Sequence, residues 1–163
     1  MTTRTSSRLV DTIAIGALGG IAGGCAEIAW ISLYGAATGT PTDPIARGVV
    51  TSLIPALTTA SWAPSLGIAI HLGLAVALGV ALAFGLRLVS PRAGAGRFDF
   101  SLVMLALAGV WAVNFFVALP ELNPAFISLL PLGVTLLSKL LFGVAAAAVF
   151  RADGMRHARI RVR

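Results

Sequence analysis

Charge is scarce in this sequence. Asp, Glu, Lys and Arg make up 11% of its 163 residues, against roughly 25% in a soluble domain. So few charges cannot cover a water-facing surface, and the length suits one membrane domain without a separate soluble one. Cysteine is nearly missing too. Cys25 stands alone, which excludes an intramolecular disulfide and any Cys-x-x-Cys or Cys-x-x-Cys-His arrangement for metal, redox or covalent haem chemistry. Cys25 is expected to be a small buried side chain in the first helix. The two histidines, His71 and His157, form no His-x-x-x-His pair. The acids Asp11, Glu27, Asp43, Asp99, Glu121 and Asp153 are too scattered for a paired-carboxylate metal motif. Ser32, Ser52, Ser61, Ser65, Ser101, Ser128 and Ser138 lack a nucleophile-elbow setting. Gly19-Gly20-Ile21-Ala22-Gly23-Gly24 has neither a preceding strand nor a P-loop Lys-Ser/Thr, so it is no nucleotide site. No cofactor or metal is expected. A haem held by two histidines would need His71 from each of two copies.

What the chain has instead is apolar length. Hydrophobic residues make up 58% of it, and mean hydropathy is +0.95. Four stretches, at 12–36, 66–89, 99–119 and 131–150, reach the roughly 20 residues needed to cross hydrocarbon. A signal peptide would have a shorter apolar core followed by soluble sequence. More membrane follows here, so the first stretch reads as a retained helix. The expected fold is all-α: a polytopic membrane protein of four transmembrane helices with short proline-capped outer segments. Arginine orients it. Arg4 and Arg8 precede the first stretch, Arg87, Arg92 and Arg97 lie between the second and third, and Arg151, Arg156, Arg159, Arg161 and Arg163 follow the fourth. Arg47 is the one basic residue between the first and second, and none lies between the third and fourth. Both termini and the central loop are therefore expected in the cytoplasm. This arrangement also accounts for the net charge of +6. The basic tail has no interleaved aromatics, so anionic lipid headgroups, not nucleic acid, are its expected partner.

The connections are patterned. Thr40-Pro41-Thr42 makes a turn, and Asp43-Pro44 reads as a helix cap with proline at the first helical position. Residues 44–54 form a short helix in this reading, with Ile45, Val49 and Leu53 along one side and Arg47 and Thr51 elsewhere. Pro55 ends it, and Trp62-Ala63-Pro64 marks the return. In the second half Pro120 closes the third helix, Asn123-Pro124 repeats the cap-plus-proline signal, and the apolar run 124–130 leads to Pro131. Each half reads as spanning helix, short outer segment, spanning helix. An ancient duplication and shared hairpin constraints both explain that likeness. Duplication would make the repeats parallel, unlike the inverted repeats of many secondary transporters.

Each stretch also carries one strongly polar residue. Glu27 follows Gly16, Gly19, Gly20, Gly23 and Gly24; His71 sits among Gly67, Ala75, Gly79 and Ala83; Lys139 precedes Gly143 and Ala147; and Asn114 lies in the third stretch. Polar groups facing lipid are expensive, so these four are expected to face one another as an intramembrane cluster. Counted from the outer helix ends they fall at similar depths, roughly 8–14 Å. Glu27 and Lys139 form the natural ion pair, His71 can hydrogen-bond to Glu27, and Asn114 can satisfy either neighbour. The cluster reads as a clasp between helices, as a proton or solute pathway, or as separate sites facing a partner protein or cofactor. The series Gly16-x-x-x-Gly20-x-x-x-Gly24 and Gly19-x-x-x-Gly23 lets the first helix approach its neighbours closely. Some of Trp30, Tyr34, Trp62 and Trp111 are expected as interface anchors.

The Gly-rich first helix, the run Thr42-Asp43-Pro44-Ile45-Ala46-Arg47, and Ile70-His71-Leu72-Gly73-Leu74 with Gly79 resemble the YagU-like small bacterial inner-membrane proteins over most of the chain. The resemblance implies a location in the bacterial cytoplasmic membrane and carries no activity with it. With no catalytic constellation and extensive small-residue faces, the expected role is that of a non-enzymatic subunit or helper of a membrane assembly. The rival is a small transporter or proton-conducting protein using Glu27, His71 and Lys139. Expected partners are membrane lipids and either further copies of the chain or a larger membrane complex.

Overall fold

The computed structural model describes residues 3–89 and 100–161, with side chains described over 9–89 and 100–153. Residue 99, the expected start of the third span, lies outside the described residues, as do Arg92, Arg97 and Arg163 and the side chains of Arg4, Arg8, Arg156, Arg159, Arg161 and His157. The chain forms α1 (Thr3–Thr38), α2 (Asp43–Leu53), a 3₁₀ turn (Pro55–Leu57), α3 (Ala63–Val89), α4 (Phe100–Val113), a π segment (Asn114–Ala118), α5 (Leu119–Leu122), α6 (Pro124–Ile127) and α7 (Leu132–Arg161). No strand occurs among the described residues.

Four helical stretches are long and apolar enough to cross a membrane: Leu9–Thr38, Ala63–Val89, Phe100–Leu122 and Leu132–Asp153. The helices outrun the apolar segments because the backbone goes on hydrogen-bonding helically where side chains turn polar. At 36 residues, α1 is about 54 Å long, well beyond the ~30 Å of hydrocarbon. It stops at Gly39, whose φ of 73° is the left-handed conformation that ends helices and suits glycine.

α1 packs against both α3 and α7, and α4 packs on α7. Close approach on α1 is divided between two faces. Gly16, Gly20 and Gly24 meet α3 at Val80, Val76 and Ala75, whereas Gly19 and Gly23 meet the rings of Phe150 and Phe142 on α7. The core joins Ala75 of α3, Val103 and Leu107 of α4, and Phe142 and Ala146 of α7. Cys25, expected to be buried, is exposed. One residue past Gly24, it is turned about 100° from the α3 seam and shares an outward stripe with Leu18, Ile21 and Ala29.

The outer segments depart from their expected capping. α2 starts at Asp43, and its N-cap, Thr42, makes no side-chain cap hydrogen bond. The Asp43 carboxylate instead accepts from Arg47 Nε at 2.7 Å. Arg47 Nη1 also donates to the carbonyls of Thr58 (3.0 Å) and Ala60 (2.9 Å), and the Thr51 and Thr58 hydroxyls lie 3.0 Å apart. Arg47 therefore staples the return loop, giving a donor to the Thr58 carbonyl and a second one to the Ala60 carbonyl, which also accepts from the Ala63 N–H. The buried residues of α2 are Gly48 and Val50, while Leu53, on the side it shares with Ile45 and Val49, is 52% exposed. Gly48 turns inward because the Phe126 ring occupies the space where a side chain would stand.

Asn123 likewise caps nothing with its side chain. Its Nδ2 donates to the Gly48 carbonyl and to Ser52 Oγ, each at 3.2 Å, so the second outer segment is tied to the first. Each such bond contributes on the order of 1 kcal/mol. Asn123→Ala should therefore cost about 1–2 kcal/mol and speed proteolytic cutting between residues 40 and 62. Unchanged cutting would show that the tie does not hold that segment. The two halves thus share an order of elements, but α2 has 11 residues and α6 has four.

Candidate functional site

Glu27 lies where the two glycine faces of α1 converge. It continues the series Gly19, Gly23 towards α7 and stands three residues after Gly24, on the border with α3. Glycine at those positions brings α3 and α7 close enough for His71 and Lys139 to meet one carboxylate. His71 precedes Ala75, Gly79 and Ala83 on the buried face of α3. Lys139 lies one turn before Phe142 and Gly143 on α7.

Glu27 is 4% exposed. Its Oε1 pairs with Lys139 Nζ at 2.7 Å. Its Oε2 lies 3.4 Å from His71 Nε2, but the two atoms form no hydrogen bond, and both are buried without a partner. Lys139 Nζ also stands 5.4 Å from the centroid of the Phe142 ring, close enough for a cation–π attraction. Phe142 is fully buried and packs on Gly23. The ion pair and the glycine face are thus one unit. The ring that fills the space left by Gly23 also flanks the ammonium. Exposure falls unevenly: the side chains of His71, Lys139 and Glu27 are 29%, 18% and 6% exposed.

Of the four residues expected in the cluster, the structure brings together Glu27, His71 and Lys139. Asn114 is not with them; it is exposed at the start of the π segment. Asn114 stands seven residues after Leu107, where a regular helix would return to the buried Val103–Leu107 face, but within the π segment burial falls instead on Phe115 and then on Leu119. Pro120 contributes to the local geometry. It has no N–H, so the helix ladder is interrupted, and the Leu119 N–H reaches back five residues to the Asn114 carbonyl.

Two tryptophans join the helices around this site. Trp30 Nε1 donates to the Val134 carbonyl at 3.1 Å, and Trp111 Nε1 donates to Thr135 Oγ1 at 3.0 Å. Both grip the first turn of α7 from its two neighbours. Trp62 is 52% exposed. Phe142 was legible as an aromatic three residues after Lys139, on the same helix face. A further signal lay in composition: Lys139 is the sole lysine, every other basic residue being arginine. No group of three or more His, Cys, Asp or Glu side chains that could hold a metal occurs among the described residues.

No protein-family model, curated protein or solved structure matches this chain.

Proposed function

We propose that this protein is a non-enzymatic integral membrane protein, a subunit or helper of a membrane assembly, whose bundle is held by the Glu27–Lys139 pair. The carrying observation is that pair. A carboxylate 4% exposed and an ammonium 2.7 Å away link α1 to α7 inside the membrane-compatible stretches. Breaking such a pair leaves an uncompensated charge in low dielectric, so loss of either partner alone is expected to loosen α1 from α7. The outward faces of all four spans carry large apolar side chains, among them Leu18, Leu33, Leu74, Leu105 and Val144, which suits contact with lipid or with partner helices.

The proposed setting is the bacterial cytoplasmic membrane with both termini inside. The arginine distribution supports the orientation, and the resemblance to YagU-like proteins supports the compartment. Single cysteines introduced near Asp43 and Asn123, in a Cys25→Ser background, should react with a membrane-impermeant thiol reagent added from the periplasmic side. Reaction only from the cytoplasmic side would invert the topology.

Purification in mild detergent or native lipid discs, followed by mass spectrometry, tests the role. Reproducible, stoichiometric partner proteins are the expected result. A lone oligomer that conducts ions into liposomes, with flux abolished by substitution at Glu27 or His71, would replace the subunit reading with transport.

A further inference from the structure

The clasp uses half of the Glu27 carboxylate. Oε1 is taken by Lys139, while Oε2 faces His71 Nε2 across 3.4 Å, and neither of these buried atoms has a hydrogen-bond partner. Buried polar atoms are nearly always satisfied, and a pair left unsatisfied calls for an explanation. An imidazole with its hydrogen on Nδ1 presents a lone pair at Nε2. A lone pair facing a carboxylate oxygen is repulsive; a proton between them reverses the sign.

We propose that Glu27 and His71 form a proton-binding site, in which one proton taken up at His71 Nε2 creates an Nε2–H···Oε2 bond and gives Glu27 a second cationic partner. The proton comes from water, the Nε2 lone pair forms the new N–H bond, Nδ1 keeps its hydrogen, and nothing is oxidised or reduced. Charge-assisted bonds of this type run about 2.7–2.9 Å, so closure needs a shift of only about 0.5 Å. His71 is the receiving residue because an imidazole nitrogen is ordinarily more basic than a carboxylate, and its Nε2 is the atom that stands opposite Oε2. The charged or titratable groups paired with Glu27 are His71 from α3 and Lys139 from α7. With imidazole neutral, the trio sums to zero charge; after uptake it carries one positive charge. Glu27 is then shared between two cations, which loosens its hold on Lys139. Phe142 stands ready beside the ammonium at 5.4 Å. Proton uptake on α3 is thereby coupled to the α1–α7 clasp. This goes beyond the role proposed above and stands whether or not the chain has partner proteins.

Composition makes the test direct. Lys139 is the sole lysine, Glu27 and Glu121 are the only glutamates, and His71 and His157 the only histidines. The full-length chain carrying Glu121→Gln and His157→Gln therefore holds one residue of each type. Labelled with ¹⁵N-His, ¹⁵N-Lys and ¹³C-Glu in lipid bilayers, it can be followed by solid-state NMR across a pH series. The expected result is conversion of Nε2 from a bare to a protonated nitrogen on acidification. Its dipolar coupling to the Glu27 carboxyl carbon should grow in the protonated form. An Nε2 that stays bare throughout, stays protonated throughout, or gains its proton without approaching Glu27 would overturn the proposal.

Discussion

Replacing Lys139 with Met should destabilise the folded bundle by about 3–5 kcal/mol, and Glu27→Met should cost a similar amount, whereas the two together should cost far less than their sum. Glu27 is 4% exposed, so a carboxylate deprived of Lys139 has no route to water. Lys139 deprived of Glu27 keeps only the Phe142 ring and its own flexible stem. The double variant buries two apolar side chains and leaves no orphaned charge between α1 and α7. In such cases replacement is often neutral or stabilising, because the desolvation cost of both ions is removed. Unfolding measured in detergent micelles on all four members of the cycle gives the coupling directly. Additive losses would mean that the short distance carries little energy.

How far these features were legible in the sequence depended on which physical constraint each one expressed. Apolar length made four long apolar helices legible, since hydrocarbon thickness acts on composition alone. The cost of unpaired charge brought Glu27 and Lys139 together, since each is the other's most available counter-charge within a span. Depth was a poorer guide. Asn114 was grouped with the others by its count from the helix end, and position along an axis says nothing about which face is covered there. Burial moves from Val103 and Leu107 in α4 to Phe115 and Leu119 across the π segment, a change of face that regular helical spacing does not announce. The capping reading at Asp43 failed for a related reason, since Thr42 stands at the N-cap of α2, whereas Asn123 does stand at the N-cap of α6 but makes no side-chain cap bond there. Both prolines do sit in the first helical turn, as local geometry requires. The polar side chains beside them had distant alternatives, the Arg47 guanidinium for Asp43 and the Gly48 carbonyl for Asn123, that exist only after the chain has folded. Cys25 shows the same limit in reverse. A small residue among glycines looks interior, but the glycines themselves define the packed faces and leave Cys25 outside them.

The α1–α3 seam should be an unforgiving surface. At Gly20 an added Cβ would stand 2.7 Å from the Val76 Cα, and at Gly79 one would stand 2.5 Å from the Gly20 Cα. Backbone meets backbone, so no rotamer change relieves the overlap and the helices themselves must part. Gly20→Ala gains helix propensity of up to about 1 kcal/mol but incurs overpacking of about 1–3 kcal/mol, and the second term should win. Gly20→Leu should separate α1 from α3 altogether. Gly73→Ala on α3 is the control, because nothing lies within 4 Å of its added Cβ. It should be neutral or slightly stabilising. The seam also sets the polar site. Gly20 lies two turns before Glu27 on the side that meets α3, whereas Gly23 faces Phe142 on α7. Gly20→Ala should therefore draw Glu27 away from His71 and leave the Lys139 pair in place, and Gly23→Ala should strain the Lys139 side first. Unfolding midpoints for the three alanine variants, together with distances from the Glu27 carboxyl to His71 and Lys139 measured by solid-state NMR, separate the two seams. Equal midpoints for Gly20→Ala and Gly73→Ala would show that the close approach of α1 and α3 does not limit the stability of the bundle.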